Sequence, residues 1–221
     1  MRYKHYGTKF LAVNGVKSMS KFKFYLLSFT WGLPMTLIGC VISLVLLIAG
    51  YKPKKWGYCY YFEVGECWGG SEFGAFFLCD KTGGEYIKNH EFGHGLQNCY
   101  WGFLMPFVVC IPSAYRYWLT EFKYSKMKYF AWGVYLVAIL LSAVLTLIAF
   151  LTHIYWPLAL AIFVFLYFTI IHIWGVAVEI PKRKGNVYVS YDSVWFEGQA
   201  SKWGTEFIKD LRERGVYHEK P

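Results

Sequence analysis

The clearest chemistry in the chain lies in five consecutive residues, His90-Glu91-Phe92-Gly93-His94. On a helix, positions i and i+4 share one face, so the two imidazoles can reach one tetrahedral ion, and the pattern predicts a zinc site. Glu91 falls beside the open position of such an ion. From there it can take a proton from zinc-bound water and pass it to a leaving amine. Gln97 and Trp101 continue the histidine stripe, while Gly93 and Gly95 leave room for a closely packed neighbour.

Two histidines leave a zinc ion short of the usual three protein ligands. The candidates for the third are Glu197, Asp192, His172, His153, Glu63, Glu66 and Glu72. Glu197 is the best placed. On a helix its stripe reads Ser193, Glu197, Ala200, Gly204, small residues around one carboxylate. Such a stripe lets two helices approach closely, with the acid pointing across the seam.

The elements that must position these groups follow from periodicity. Glu85 to Trp118 begins as a helix carrying the motif. Its second part, Tyr100 to Trp118, is apolar but interrupted by Pro106 and Pro112, and reads as a kinked span or a re-entrant segment. Asp192 or Ser193 can cap a tail helix running to about Arg214, with Gly215 just past its end. Phe24 to Gly50, Tyr129 to Leu151 and Leu158 to Val178 are apolar runs of membrane-spanning length, the first with Pro34 as an expected kink. The turn Thr152 to Pro157 is short enough to force the last two runs into an antiparallel hairpin. Residues 58–79 are aromatic and Gly-rich. They read as a β-hairpin or an interfacial loop, with Tyr60, Phe62 and Val64 on one side of an extended strand.

Composition agrees with a membrane location. Of 221 residues, 56% are hydrophobic and 22% aromatic, and only 17% are charged. Soluble domains carry about 25% charged residues. The net charge of +9 comes from Lys and Arg flanking the apolar runs, where anionic lipid and the positive-inside rule account for them; a nucleic-acid partner is not expected. The basic start precedes a run too long for a signal peptide. None of the six cysteines forms a CxxC pair, so a cysteine metal site has no support.

The expected fold class is therefore an all-α membrane protein forming a single membrane-embedded domain over 1–221. It would have three to four transmembrane or re-entrant helices, a small extended or β-hairpin segment and a C-terminal amphipathic helix.

The motif followed by a downstream helical Glu resembles the gluzincin arrangement of zinc metalloproteases. More narrowly, Lys88-Asn89-HEFGH-Gly95-Leu96-Gln97-Asn98-Cys99-Tyr100, then Pro112-Ser113 with Arg116-Tyr117-Trp118, then Tyr191 to Ala200, resembles an uncharacterised family of short bacterial membrane proteins with an HExGH motif. The likeness runs from about Tyr60 to Gly204, apart from the last two spans. It implies a multi-pass protein of the bacterial cell membrane with His90, His94 and Glu197 as metal ligands. It also makes Tyr191, Arg116 and Gln97 candidate pocket residues. A tyrosine hydroxyl or an arginine near the metal can stabilise a developing oxyanion.

One conflict arises from topology. Four plain spans with all basic clusters and both termini cytoplasmic leave His90 near the outer face and Glu197 inside, a bilayer apart. For both to bind one ion, at least one apolar run must not be a plain span. The function expected is a membrane zinc hydrolase, most readily a peptidase acting on a peptide or membrane-protein segment, with lipids as its surroundings. The alternatives are a non-catalytic protein with a structural metal, or a small transporter component whose histidines line a polar path.

Overall fold

The computed structural model describes residues 19–120, 127–184 and 191–216. The basic residues Arg2, Lys4, Lys9, Lys17, Lys123 and Lys126 lie outside them. The chain divides into two compact units, Met1–Val109 with Ser190–Pro221, and Cys110–Val189, where the sequence suggests one domain. The helical content is as expected, but an all-α description is corrected by a four-stranded sheet in place of a single hairpin.

In the first unit, the run from Phe24 to Gly50 is not one kinked helix. It forms α1 (Lys21–Ser28) and α2 (Leu33–Ile48), bent by 92°. The break falls at Phe29 to Gly32, ahead of Pro34, which sits in the first turn of α2, where a proline costs no hydrogen bond. Ser20 caps α1 by accepting from the Lys23 backbone N–H.

Four strands follow, β1 (Lys54–Trp56), β2 (Cys59–Glu63), β3 (Gly70–Phe73) and β4 (Phe76–Cys79). Their spatial order is β1-β2-β4-β3; β2 and β4 are parallel and the other pairs antiparallel. β3 is therefore an edge strand.

The motif helix α3 (Glu85–Trp101) ends at Gly102, whose φ of +57° suits a residue without a Cβ. Phe92 and Leu96 of α3 join Trp56, Tyr61 and Phe77 of the sheet, and Phe207 of the C-terminal helix, in one buried core.

A π-turn (Pro106–Cys110) closes this stretch of the first unit, and the second unit opens with α4 (Ile111–Thr120). Neither is among the helices long and apolar enough to cross a membrane. Among the described residues those are Lys128–Thr152 and Trp156–Lys182, or three spans if the bent α1–α2 pair counts as one. The two helices, α5 (Met127–Thr152) and α6 (Trp156–Trp174), pack as the expected hairpin; a π-turn (Gly175–Glu179) and α7 (Ile180–Lys184) continue α6. The C-terminal helix α8 (Trp195–Glu213) belongs to the first unit, with Gly215 just beyond it.

Candidate metal centre

The centre is built where α3 and α8 cross. Three small positions, Gly93, Ala200 and Gly204, make the close approach possible. A methyl group on Gly93 would overlap the Ala200 carbonyl, and one on Gly204 would overlap the Asn89 carbonyl. These are the small positions that both helix stripes present in the sequence. With the backbones so near, a glutamate from α8 reaches the histidine face of α3.

His90, His94 and Glu197 are all buried and form a group able to hold a metal ion. The three facing atoms make a nearly equilateral triangle. His90 Nε2 and His94 Nε2 are 3.1 Å apart, and Glu197 Oε2 lies 3.2 Å from the first and 3.1 Å from the second. Metal bonds of about 2.0–2.1 Å at tetrahedral angles hold ligand atoms about 3.3 Å apart. The triangle differs from that by one or two tenths of an ångström, so the donor set fits an ion with three protein ligands and an open fourth position.

The other ring nitrogens fix the orientation of both imidazoles. His94 Nδ1 lies 2.8 Å from Gln97 Oε1. The Gln97 amide donates to the Phe196 carbonyl at 2.8 Å and to Gln199 Oε1 at 2.9 Å. A carbonyl only accepts, so the amide nitrogen points that way, and Oε1 must receive the His94 Nδ1 proton. His90 Nδ1 lies 2.7 Å from Ser201 Oγ, which donates to Asp192 Oδ1 at 2.9 Å. Tyr86 OH donates to Asp192 Oδ2 at 2.7 Å. In the neutral rings both protons therefore sit on Nδ1, and both Nε2 lone pairs face Glu197. This is the outer-shell arrangement that orients metal-binding histidines.

The electrostatics of the metal-free group follow. Burial alone would push the His94 pKa down, but the hydrogen bond and charge of Glu197 outweigh it and raise the pKa to about 9. Burial opposes ionisation of Glu197 too, yet its hydrogen bonds to His90 and His94 leave its pKa far below the usual carboxylate range. A buried carboxylate and imidazolium pair in this way until a cation replaces the proton.

Glu91 is buried beside the triangle, and burial, the largest influence, raises its pKa. The edge strand β3 runs over it: a Cβ on Gly70 would stand 2.6 Å from Glu91 Oε1. Further along β3, Glu72 is also buried, one oxygen accepting from the Gly74 backbone N–H.

Of the residues singled out in the sequence, His90, Glu91, His94, Glu197 and Gln97 come together. Tyr191 stands beside them, its ring centroid 5.9 Å from that of His90. Arg116 is placed in the second unit, fully buried, with its Nε donating to Glu179 at 2.7 Å. Among the other third-ligand candidates, Glu63 pairs with Lys54 at 2.6 Å and His172 with Tyr115. Glu66 is exposed in the loop after β2, and His153 lies in the α5–α6 turn. Asp192 supports His90 through Ser201. The sequence reading missed Ser201 and Gln199. Ser201 follows Glu197 by four residues, a spacing that puts it on the same helix face.

No protein-family model, curated protein or solved structure matches the chain, so its chemistry is read from this geometry.

Proposed function

We propose that the protein is a membrane-anchored, zinc-dependent hydrolase, a peptidase acting on peptide or membrane-protein segments. What carries the reading is the His90–His94–Glu197 triangle with Glu91 one residue from the first ligand. Zinc is favoured because two imidazoles and one carboxylate in a tetrahedral set suit it. When bound, zinc supplies Lewis acidity that brings the pKa of a coordinated water near neutrality.

The chain's own residues do the rest. Glu91 accepts the water's proton and delivers it to the leaving amine; burial raises its pKa, the direction that helps a carboxylate hold a proton before giving it up. Tyr191, beside His90, is the candidate donor to the developing oxyanion. An extended substrate can add to the edge strand β3 at its Gly70 end, which would lead its backbone past Glu91. A structural metal would more often have a fourth protein ligand. Among the described residues the metal-binding group contains three, which favours catalysis over the non-catalytic alternative. The transporter reading finds no specific support, since His172 is hydrogen-bonded to Tyr115 within the second unit.

Elemental analysis of detergent-purified protein, prepared without chelator, should find about one zinc per chain. Glu91→Gln should keep the zinc and lose peptide hydrolysis by about 10²–10⁴-fold. Absence of metal from the wild type would overturn the reading. Full activity in the Gln variant would overturn the role of Glu91.

A further inference from the structure

The α1–α2 pair presents an apolar surface that the centre does not use. Leu37, Val41, Leu44 and Ile48 form an exposed stripe along α2, and Phe22 and Leu26 are exposed on α1. The opposite faces are committed to protein. Phe24 and Ser28 pack into α3 around Cys99. Asn98 donates to the Gly32 carbonyl, and Gly39 and Thr36 press on Phe73, Gly74 and Phe76 of the sheet.

The chain that follows the pair returns to the start of it. Tyr25 OH of α1 donates to the Tyr58 carbonyl, just after β1, at 2.7 Å. Lys21, which opens α1, lies beside Lys55 of β1, and burial together with that neighbouring ammonium lowers the Lys55 pKa. A helix of sixteen residues is about 24 Å long, against a hydrocarbon core of about 30 Å. If α2 crossed the bilayer, the chain would have to regain Lys21 within the seven residues from Ile48 to Lys55. That would draw Lys52 and Lys54 through hydrocarbon, at about 2.5–3.5 kcal/mol each. Lys21, Lys23, Lys52 and Lys55 instead flank the pair in the chain with positive charge, Lys54 being paired with Glu63. This is the pattern of a segment seated among anionic headgroups.

We infer that Lys21–Ile48 is a re-entrant anchor: it lies in one leaflet against anionic headgroups, leaves on the side it came from, and so holds the metal-centre unit on the face that carries these lysines. This does not depend on whether the centre binds zinc. It removes the conflict that four plain spans create, because the motif helix and α8 no longer need a bilayer between them.

The test is the side of the membrane on which chosen thiols react in the full-length protein. In a Cys67→Ser background, Lys23→Cys and Lys52→Cys each replace an exposed side chain that makes no core contact. A membrane-impermeant maleimide, applied to right-side-out and inverted vesicles, should label both from the same side. The wild-type Cys67, exposed in the β2–β3 loop, should label from that side as well. Labelling of positions 23 and 52 from opposite sides would overturn the proposal. A second measurement places fluorophores at Ile38→Cys and Ile48→Cys and quenches them with lipids brominated at graded depths. Both should quench as residents of one leaflet. A fluorophore at position 48 that reports the far headgroups would overturn it too.

Discussion

Gly93 and Ala200 meet across the α3–α8 seam with no room for another atom: a methyl on Gly93 would sit inside the Ala200 carbonyl. The obstruction is backbone, which cannot rotate aside as a side chain can. Gly93→Ala must therefore push the helices apart, and Glu197 moves with α8. We expect a loss of about 3 kcal/mol or more in stability, at the upper end of overpacking costs, together with loss of metal. Gly204→Ala, against the Asn89 carbonyl, should behave alike. By contrast Gly133, with open space around its Cβ position, should accept alanine without loss. Thermal unfolding in detergent, with and without added zinc, checks all three.

The motif and the tail stripe were legible because both depend on helix period, which is local. His90 and His94 share a face by spacing alone, and so do Glu197, Ala200 and Gly204. Glu197 could be chosen as third ligand because its neighbours are small. The sheet was not legible. Residues 58–79 read as a β-hairpin or an interfacial loop, yet they hold β2, β3 and β4, and the parallel β2–β4 pairing depends on contacts across a loop rather than on alternation. The right-angle bend before Pro34 was hidden for a similar reason: hydropathy counts apolar residues but carries no direction. Arg116 was misleading because its partner, Glu179, lies on another helix far along the chain.

The supports of the two histidines differ in kind, and that gives a graded prediction. His94 is held by Gln97, whose amide is itself locked to Phe196 and Gln199. His90 is held by Ser201, backed by Asp192 and Tyr86. Gln97→Ala and Ser201→Ala should each weaken zinc binding by about 10–100-fold, the usual range for outer-shell partners. Glu197→Gln removes a ligand oxygen's charge and should cost more than either. Competition with a chromophoric chelator ranks them, and equal affinities for all three variants would show that Glu197 is not a ligand.

Metal binding should depend on pH through His94. In the metal-free protein its pKa is raised to about 9, so below that pH the ring is an imidazolium and an incoming ion must displace its proton. Apparent zinc affinity should rise by about tenfold per pH unit between pH 7 and 9, and level off above. The same pair acts on metal-free stability with the opposite sign. A histidine whose folded pKa is raised from 6.5 contributes stability that is complete below pH 6.5 and lost as pH rises through 9. Glu197, with a depressed pKa, contributes above its unfolded value of 4.5 and loses that contribution on acidification. Chelated protein should therefore be most stable between these limits, and zinc should remove the alkaline decline. Isothermal titration and thermal melts across pH 5–10 test both statements.

Glu72 gives the last prediction. Burial raises its pKa to about 8; the nearby His94 charge and the Gly74 N–H oppose that rise and Glu91 adds to it. One oxygen accepts from Gly74, while the other is buried without a hydrogen-bond partner. A carboxyl whose folded pKa lies above its unfolded value of 4.5 holds a proton that the unfolded chain has already released. Stability then falls as pH climbs from about 4.5 to 8, and the loss is complete once the folded group ionises. Glu72→Gln keeps an oxygen for the Gly74 N–H and cannot ionise. In chelated protein the variant should match the wild type near pH 5 and melt higher than it by pH 8, with the gap widening between those values. An equal melting difference at both ends of the range would show that Glu72 does not titrate between pH 5 and 8, and would overturn the prediction.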